Sequence, residues 1–397
     1  MIKIEDSSVR KWIFGLLLCC VFICVAVYFY LGGYLGFDIE GHWRICTYAL
    51  KGYNPYLYIG QEGPIPEIGN IPPGFSTVPW ACVFGSVFYG GFMSLEAARI
   101  YNVLLHIVSI VLLVVVFYKT TKHSLSKFEQ ATIALAFISQ FSIMYSIYYG
   151  NAGGIICCLL MVSILLGEKH PYISGVLVAL AMMKPQIAAI VCVVFLLQKR
   201  WKVLFTGASI DILGWLVTSV ITKVSPLELL TSTFSSGTAS EFQYLGVLSV
   251  LQYCGLDKSL VLVLNVAVGF IYTIGLWYYL KKNKTANEDE LILYMPACIA
   301  STVWIYKNGT DYAILAFVTM FVCTLCFKRA LNFREKIYAI LSIAFLQVSR
   351  VAVYIGVTIW GESSMARDIL KGSEGFILLI IGIVLCKMWV RAAKKQI

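Results

Sequence analysis

Residues 172–198 read YISGVLVALAMMKPQIAAIVCVVFLLQ, an apolar stretch that Lys184-Pro185-Gln186 interrupts near its middle. Proline ends a preceding helix and is well suited to begin the next one. The break therefore predicts two short helices, over 172–183 and 186–198. Each would be about 18 Å long, less than the ~30 Å hydrocarbon core of a bilayer. Lys184 is thus predicted to lie in a cavity below the membrane surface, where a charged side chain marks a functional site or, alternatively, a structural salt bridge.

Apolar segments recur along the whole chain of 397 residues, which is 59% hydrophobic and 13% charged with a mean hydropathy of +0.81. Many approach the ~20 residues that cross a bilayer as a helix. The predicted fold class is an all-α polytopic membrane protein with about 12 transmembrane helices and an interfacial helical first external loop. The predicted spans are 12–33, 95–118, 130–148, 152–167, 172–183, 186–198, 203–221, 260–280, 291–305, 312–327, 337–357 and 376–390.

Two ambiguous stretches, 74–93 and 172–198, decide which loops share a compartment. If the first lies in the interface and the second is a pair of short helices, the lysine-rich loop 119–129 is cytoplasmic; otherwise it is external. The positive-inside rule favours the first scheme. Both termini are then cytoplasmic, and most of the 31 Lys and Arg residues lie inside. The net charge of +10 therefore reflects membrane orientation, and no nucleic-acid partner is expected.

The same scheme brings scattered polar residues to the outer side of the membrane. Asp38 and Glu40 follow the first span, and Asn151 lies in a turn between two later spans. Lys184 and Gln186 lie at the break, and Lys307 and Asp311 lie in another hairpin. Together they predict one extracytoplasmic site.

This set of side chains suits a lipid-linked sugar phosphate. A carboxylate, Asp38, takes a proton from an acceptor hydroxyl as general base. Arg44, Lys184 and Lys307 are candidates to neutralise the departing phosphate. Trp43 and Tyr56 are candidates to stack on the sugar or contact the lipid, although an interfacial belt of Trp and Tyr is the ordinary alternative.

Asp38-Ile39-Glu40 also has a spacing at which two carboxylates can bind a divalent metal. Because the chain has no further carboxylates nearby, neither a metal nor a cofactor is expected, and Glu40 is expected to contact substrate. Arg350, within another apolar span, is predicted to pair with a lipid phosphate or with Asp211.

Taken in order, these motifs resemble family 87 of the GT-C class of membrane glycosyltransferases, over residues 12 to 200. The matching features are Asp38 after the first span, the run Tyr48-Ala49-Leu50-Lys51-Gly52-Tyr53-Asn54-Pro55-Tyr56, Pro72-Pro73 with Pro79, Gly150-Asn151, and Lys184-Pro185-Gln186 preceded by Gly175 and Ala179-Leu180-Ala181. That family includes polyprenol-phosphate-mannose-dependent mannosyltransferases.

The resemblance implies a GT-C-like fold, Asp38 as catalytic base, inversion at the sugar, and a polyprenyl-phosphate sugar donor, most plausibly of mannose. It implies a glycolipid or glycan acceptor, use on the extracytoplasmic face of a bacterial plasma membrane in cell-envelope glycan biosynthesis, and an interfacial helix from Pro72. One departure is a later external loop, where the family often has a histidine and this chain reads Trp304-Ile305-Tyr306-Lys307-Asn308-Gly309-Thr310-Asp311-Tyr312. Lys307 or Asp311 takes its place, or the acceptor differs.

The chain is expected to divide into a catalytic module, 1–221, with external loop 34–94, and a C-terminal module, 222–397, with external loop 222–259. Within that second loop, residues 231–240 are rich in Ser, Thr and Gly, which favours a flexible linker over a gate for the acceptor. The rival functions are a transporter or flippase of lipid-linked sugars, and a polymerase. The absence of a second copy of the Asp38 or Lys184 segment argues against the first.

Overall fold

The computed structural model describes residues 6–31, 37–73, 75, 77–239, 247–283, 290–305, 309–329, 331–360 and 365–394. Within these residues the protein is helical, and its only strand-like pairing is an isolated parallel bridge between Ile59 and Ile71. The α-helices in chain order are α1 (Asp6–Leu31), α2 (Phe37–Leu50), α3 (Pro79–Phe84), α4 (Ser86–Tyr89), α5 (Leu95–Thr121), α6 (Lys127–Ile138), α7 (Phe141–Tyr149), α8 (Gly153–Leu166), α9 (Pro171–Ala181), α10 (Pro185–Leu197), α11 (Trp201–Thr222), α12 (Pro226–Ala239), α13 (Lys258–Asn283), α14 (Met295–Ala300), α15 (Leu315–Lys328), α16 (Phe333–Trp360) and α17 (Met365–Lys394). Short 3-10 helices cover Pro55–Tyr58, Ser249–Cys254, Glu290–Tyr294 and Gly309–Ile314.

The count of membrane-crossing helices is smaller than the sequence predicts. Among the described residues, 7 helical segments are long and apolar enough to cross a membrane, or 8 if α6 and α7, which meet at 44°, form one bent span. The segments predicted at 152–167, 172–183, 186–198 and 291–305 are apolar helices too short to qualify. The protein is a polytopic helical membrane protein, but the expected twelve full spans are not confirmed.

Short helices result from turn residues within apolar sequence. Gly150 ends α7 with a left-handed φ of +69°, which glycine adopts without steric cost. Prolines occupy the first positions of α9 and α10, where their missing N–H is not needed. The predicted break at Lys184 is therefore present, and several helix ends come together inside the protein.

The central helices are α8 and the segment Gly309–Lys328. Nearly all of α8 is buried, as is 94% of the apolar window of Gly309–Lys328, against 17% for α11. Since α11 shows most of its apolar surface outward, it faces lipid. The short helices therefore line the interior and the long ones surround them.

The segment between α1 and α5 begins with α2, which lies outside the candidate spans, and continues through turns into α3 and α4. The segment implied to be an interfacial helix from Pro72 is helical only from Pro79. Arg44 holds this loop on α2, since its guanidinium donates to the carbonyl of Asn70. The Tyr48 hydroxyl donates to the carbonyl of Gly69 at 2.9 Å.

Two further expectations are wrong. The polar segment 231–240 is helical through Ala239 as part of α12, because that helix packs on α11 and on the 3-10 helix Pro55–Tyr58. Arg350 does not pair with Asp211. It donates to Glu374 on the neighbouring α17 at 2.6 Å, with both side chains buried.

Candidate active site

The amide of Asn151 is the centre of a polar cluster formed by residues far apart in the chain. Its Oδ1 accepts hydrogen bonds from the Lys184 ammonium at 2.6 Å, the Gly153 backbone N–H at 2.8 Å and the Thr310 hydroxyl at 3.1 Å. An atom that accepts from three donors must be the oxygen of the amide. The NH2 group is thereby directed at Asp38, and it donates to Asp38 Oδ2 at 2.8 Å.

Lys184 has a second partner, the carboxylate of Asp311. Its Nζ lies 3.0 Å from Asp311 Oδ1, and the two side chains are 9% and 0% exposed. Asp311 lies in the 3-10 helix that leads into α15, and the Thr310 hydroxyl also donates to it, at 3.3 Å. A buried charge requires a partner. Here the ammonium joins Asn151 and Asp311, which are far apart in the sequence.

Two tryptophans form hydrogen bonds with the backbone on either side of the break at Lys184. Trp80 on α3 donates from Nε1 to the carbonyl of Met182 at 3.0 Å, and Trp304 donates to the carbonyl of Gln186 at 2.7 Å. Both carbonyls lie near the break between α9 and α10. Side chains from other elements thus satisfy backbone groups around the break, which irregular backbone at membrane depth requires.

The turn that carries Asn151 is fastened in the same manner. The Ser146 hydroxyl donates to the Asn151 carbonyl and accepts from the Gly154 N–H at 2.7 Å. The imidazole of His106 contacts that hydroxyl through Nε2 at 3.1 Å and the Asn102 carbonyl through Nδ1 at 2.9 Å. The position of the Asn151 amide is therefore determined by rigid helices.

Other predicted site residues lie on α2 but contact different parts of the protein. Glu40 pairs with Arg44 on the same helix, and with Arg99 at the start of α5 at 3.2 Å. Trp43 is buried and donates from Nε1 to the carbonyl of Met93 at 3.1 Å. These contacts join α2 to α5 and to the segment that precedes it.

Three predicted residues remain apart from these contacts. The buried Tyr56 hydroxyl donates to the Thr77 carbonyl at 2.7 Å and lies 3.2 Å from Cys82 Sγ. Gln186 follows the break at the second position of α10, where its backbone accepts from Trp304. Lys307 lies outside the described residues. The substrate-binding roles of all these residues remain predictions.

The structure adds His42, which the sequence interpretation did not select. His42 lies four residues after Asp38 on α2, so the two side chains project from one face of the helix. Its ring stacks on Tyr89 at 4.5 Å and meets Phe75 edge-on at 5.4 Å. Burial and the positive charge of Lys184 lower the pKa of this imidazole to about 3, although the negative charge of Asp311 acts in the opposite direction. The spacing from Asp38 was the available signal.

The sequence model of Glycosyltransferase family 87 matches residues 79–327, well over half of the chain. The chain belongs to glycosyltransferase family 87. This family 87 member is therefore a membrane glycosyltransferase, which binds a sugar donor and an acceptor as substrates. Neither the curated proteins nor the solved structures contain a match to it.

The matched range places the polar cluster within the family region only in part. Asn151, Lys184 and Asp311 lie inside 79–327, whereas Asp38 lies before it. The resemblance expected over residues 12 to 200 and the matched range overlap from residue 79 onward. In this family 87 protein, Asp38 is linked to the matched region by its hydrogen bond to Asn151.

Proposed function

We propose that this glycosyltransferase transfers a hexose, with mannose the first candidate, from a polyprenyl-phosphate donor to a glycolipid or glycan acceptor. The reaction takes place on the extracytoplasmic face of a bacterial plasma membrane, with both termini cytoplasmic, in cell-envelope glycan synthesis. The fold is of the GT-C type. The observation that carries the proposal is the cluster of Asp38, Asn151, Lys184 and Asp311 at the ends of short helices within the membrane protein.

Asp38 acts as the general base. Its carboxylate accepts a hydrogen bond from the neutral Asn151 amide, which orients it without adding a positive charge beside it. An acceptor hydroxyl next to Asp38 gives up its proton to the carboxylate as its oxygen attacks the sugar C1. The bond from C1 to the phosphate oxygen breaks, and the phosphate leaves with the electron pair. Since attack and departure occur on opposite faces of C1, the configuration inverts.

Lys184 stabilises the charge that develops on the departing phosphate. Its ammonium has three N–H donors, of which the structure commits two, to Asn151 and Asp311. The N-termini of α8 and α10 also begin at this cluster, at Gly153 and Pro185. Helix N-termini carry partial positive charge and favour phosphate groups. Positive potential from three sources thus supports an anion at Lys184.

The depth of the cluster suits a lipid-linked donor. α10 has 13 residues, so it covers about 20 Å of a hydrocarbon core of about 30 Å. A phosphate attached to a membrane lipid can approach Lys184 at that depth, whereas a nucleotide sugar would have to leave water. Trp43 and Tyr56 remain candidates for contact with the sugar or the lipid, together with Glu40, Arg44, Gln186 and Lys307.

A transfer assay tests the proposal. Purified protein is incubated with radiolabelled polyprenyl-phosphate mannose, polyprenyl-phosphate glucose or a nucleotide-linked mannose, and with a lipid extract of the producing cells as acceptor. We expect label to move from one lipid-linked donor into a larger glycolipid, and Asp38→Asn to abolish this transfer. Transport of label across vesicles without transfer would favour the flippase, and addition of repeated units would favour the polymerase.

A further inference from the structure

Two histidines near the Asn151 turn, His42 and His106, differ in the hydrogen bonds of their ring nitrogens. His106 uses both ring nitrogens, at the Asn102 carbonyl and the Ser146 hydroxyl. His42 Nδ1 is buried and has no hydrogen-bond partner anywhere in the part of the chain that the structure describes. A buried polar atom without a partner costs about 1–3 kcal/mol. An unpaired nitrogen beside a predicted substrate site therefore needs an explanation.

The position of His42 indicates what its partner is. Asp38 lies one helical turn earlier on the same face of α2. Lys184 and Asp311 both act electrostatically on the imidazole. Tyr89 stacks on the ring and Phe75 meets it edge-on, so aromatic side chains contact the imidazole in two places. His42 thus contributes a hydrogen-bonding group in an aromatic surrounding, a combination that suits a sugar.

We propose that His42 binds a hydroxyl group of a sugar substrate in the Asp38 site and so helps to determine which sugar is accepted. This inference rests on the proposed function. A neutral imidazole has one N–H donor and one acceptor nitrogen, and a sugar hydroxyl is complementary to either. The hydroxyl belongs to the donor sugar or to the acceptor, and kinetics distinguish the two.

The charge state of the ring supports hydrogen bonding over proton transfer. Burial and Lys184 lower the pKa of His42 to about 3, with Asp311 opposing them. At pH 5–8 the imidazole is therefore neutral and does not compete with Asp38 for the proton of the acceptor. A neutral hydrogen bond of this kind contributes about 3- to 10-fold in kcat/KM.

His42→Phe tests the inference because it keeps a ring against Tyr89 and removes both nitrogens. We measure kcat/KM for polyprenyl-phosphate mannose and its 2-, 3-, 4- and 6-deoxy analogues, and the KM of the acceptor lipid extract. If the donor supplies the hydroxyl, one deoxy analogue is about 3- to 10-fold worse with the wild type and no worse than the parent with His42→Phe. If the acceptor supplies it, only the acceptor KM rises.

His42→Asn is the second variant, since its amide lies near the position of Nδ1, and it should restore part of the discrimination that His42→Phe loses. His106→Phe is the matched structural control: whatever its effect on rate, the ratio between parent and deoxy donors should equal that of the wild type. The acid limb of the pH–rate profile should keep its position in His42→Phe.

The inference is overturned if a folded His42→Phe discriminates among the deoxy donors as the wild type does and has an unchanged acceptor KM. Loss of the acid limb would also overturn it, because His42 would then transfer a proton among its charged neighbours Asp38, Lys184 and Asp311. Absence of transfer by the wild type with every lipid-linked hexose would instead contradict the proposed function itself, and this inference with it.

Discussion

Asp38 and Glu40 are carboxylates two residues apart on α2, and they project to different parts of the protein. Asp38 faces inward and meets the neutral amide of Asn151. Glu40 meets two guanidinium groups, those of Arg44 on α2 and Arg99 on α5. Residues two apart on a helix point about 200° from each other, so one short helix serves two purposes.

The different partners of Asp38 and Glu40 suit the two carboxylates to different roles. Each carboxylate oxygen of Glu40 pairs with one arginine, which stabilises the join between α2, the loop and α5 and occupies the oxygens that a base would use. Asp38 accepts from the neutral amide of Asn151, which positions the carboxylate through one of its oxygens. The sequence groups both acids in one site, whereas their partners differ, which supports the proposed role of Asp38 as base and a connecting role for Glu40.

The largest expected effect separates the two carboxylates directly. Asp38→Asn removes the base and should lower kcat by about 10²- to 10⁴-fold, the usual contribution of general base catalysis. Glu40→Gln keeps the shape of its side chain and should stay within a few-fold of the wild type. Both are measured in the transfer assay on protein that elutes as one species in detergent. Equal losses in the two variants would break the comparison.

The stability of the protein should also depend more on the charges in the polar cluster of Asp38, Asn151, Lys184 and Asp311 than on those around Glu40. Lys184→Met leaves Asp311 buried without its cation and should lower the free energy of unfolding by about 3–5 kcal/mol. Denaturant unfolding in detergent measures this difference. Replacement of both members, Lys184→Met with Asp311→Leu, should recover much of the stability and none of the transfer.

A cost below about 1 kcal/mol for Lys184→Met would place its pair with Asp311 in the class of exposed ion pairs. Full transfer by the double variant would remove Lys184 from the proposed mechanism.

Loss of a charge from the ion pairs of Glu40 with Arg44 and Arg99 should have a weak effect on stability. Arg99→Ala removes one partner of Glu40, but both side chains are 25% exposed and Arg44 remains. The free energy of unfolding should fall by about 0.2–1 kcal/mol, and less at high salt because exposed charges are screened. Thermal unfolding at two salt concentrations measures this; a loss matching that of Lys184→Met would contradict the distinction between the clusters.

The smallest expected effect concerns a metal. Asp38 and Glu40 would have to converge to bind a divalent cation, whereas their side chains contact Asn151 on one side and arginines on the other. Transfer should therefore be unchanged by EDTA. Loss of transfer with EDTA and its recovery with Mg²⁺ or Mn²⁺ would restore the metal-binding interpretation of Asp38-Ile39-Glu40.

The sequence was most informative where one residue type has one structural consequence. Pro185 limits the preceding residue and starts a helix, so the break at Lys184 was predictable, although the helices Pro171–Ala181 and Pro185–Leu197 begin and end slightly earlier than predicted. The same break, with the charge of the loops, predicted that Asp38, Asn151, Lys184 and Asp311 share a site, and their hydrogen bonds agree with that grouping. Each predicted span also overlaps apolar helix, although the span at 130–148 covers two helices, α6 and α7, which meet at 44°.

Other features depend on contacts that no local pattern encodes. The bend between α6 and α7 has no proline or glycine; Gln140 lies there and donates to the carbonyls of Tyr312 at 3.3 Å and Leu346 at 3.2 Å. The partner of Arg350 is a residue of the adjacent helix, selected by packing. Residues 231–239 are helical as the end of α12 despite their polar composition. Since α12 as a whole packs on α11 and on the 3-10 helix Pro55–Tyr58, tertiary contacts can override weak propensity.

The ion pair of Lys184 with Asp311 can form only late in the synthesis of the chain. Asp311 follows Lys184 by 127 residues, so at about 5–20 residues per second the ribosome delivers it on the order of 10 s later. During that interval the ammonium has been inserted with α9 and α10 but lacks its counter-ion. A chain released before residue 311 would carry an uncompensated charge in the bilayer, a feature by which membrane proteases could distinguish unfinished copies from finished ones.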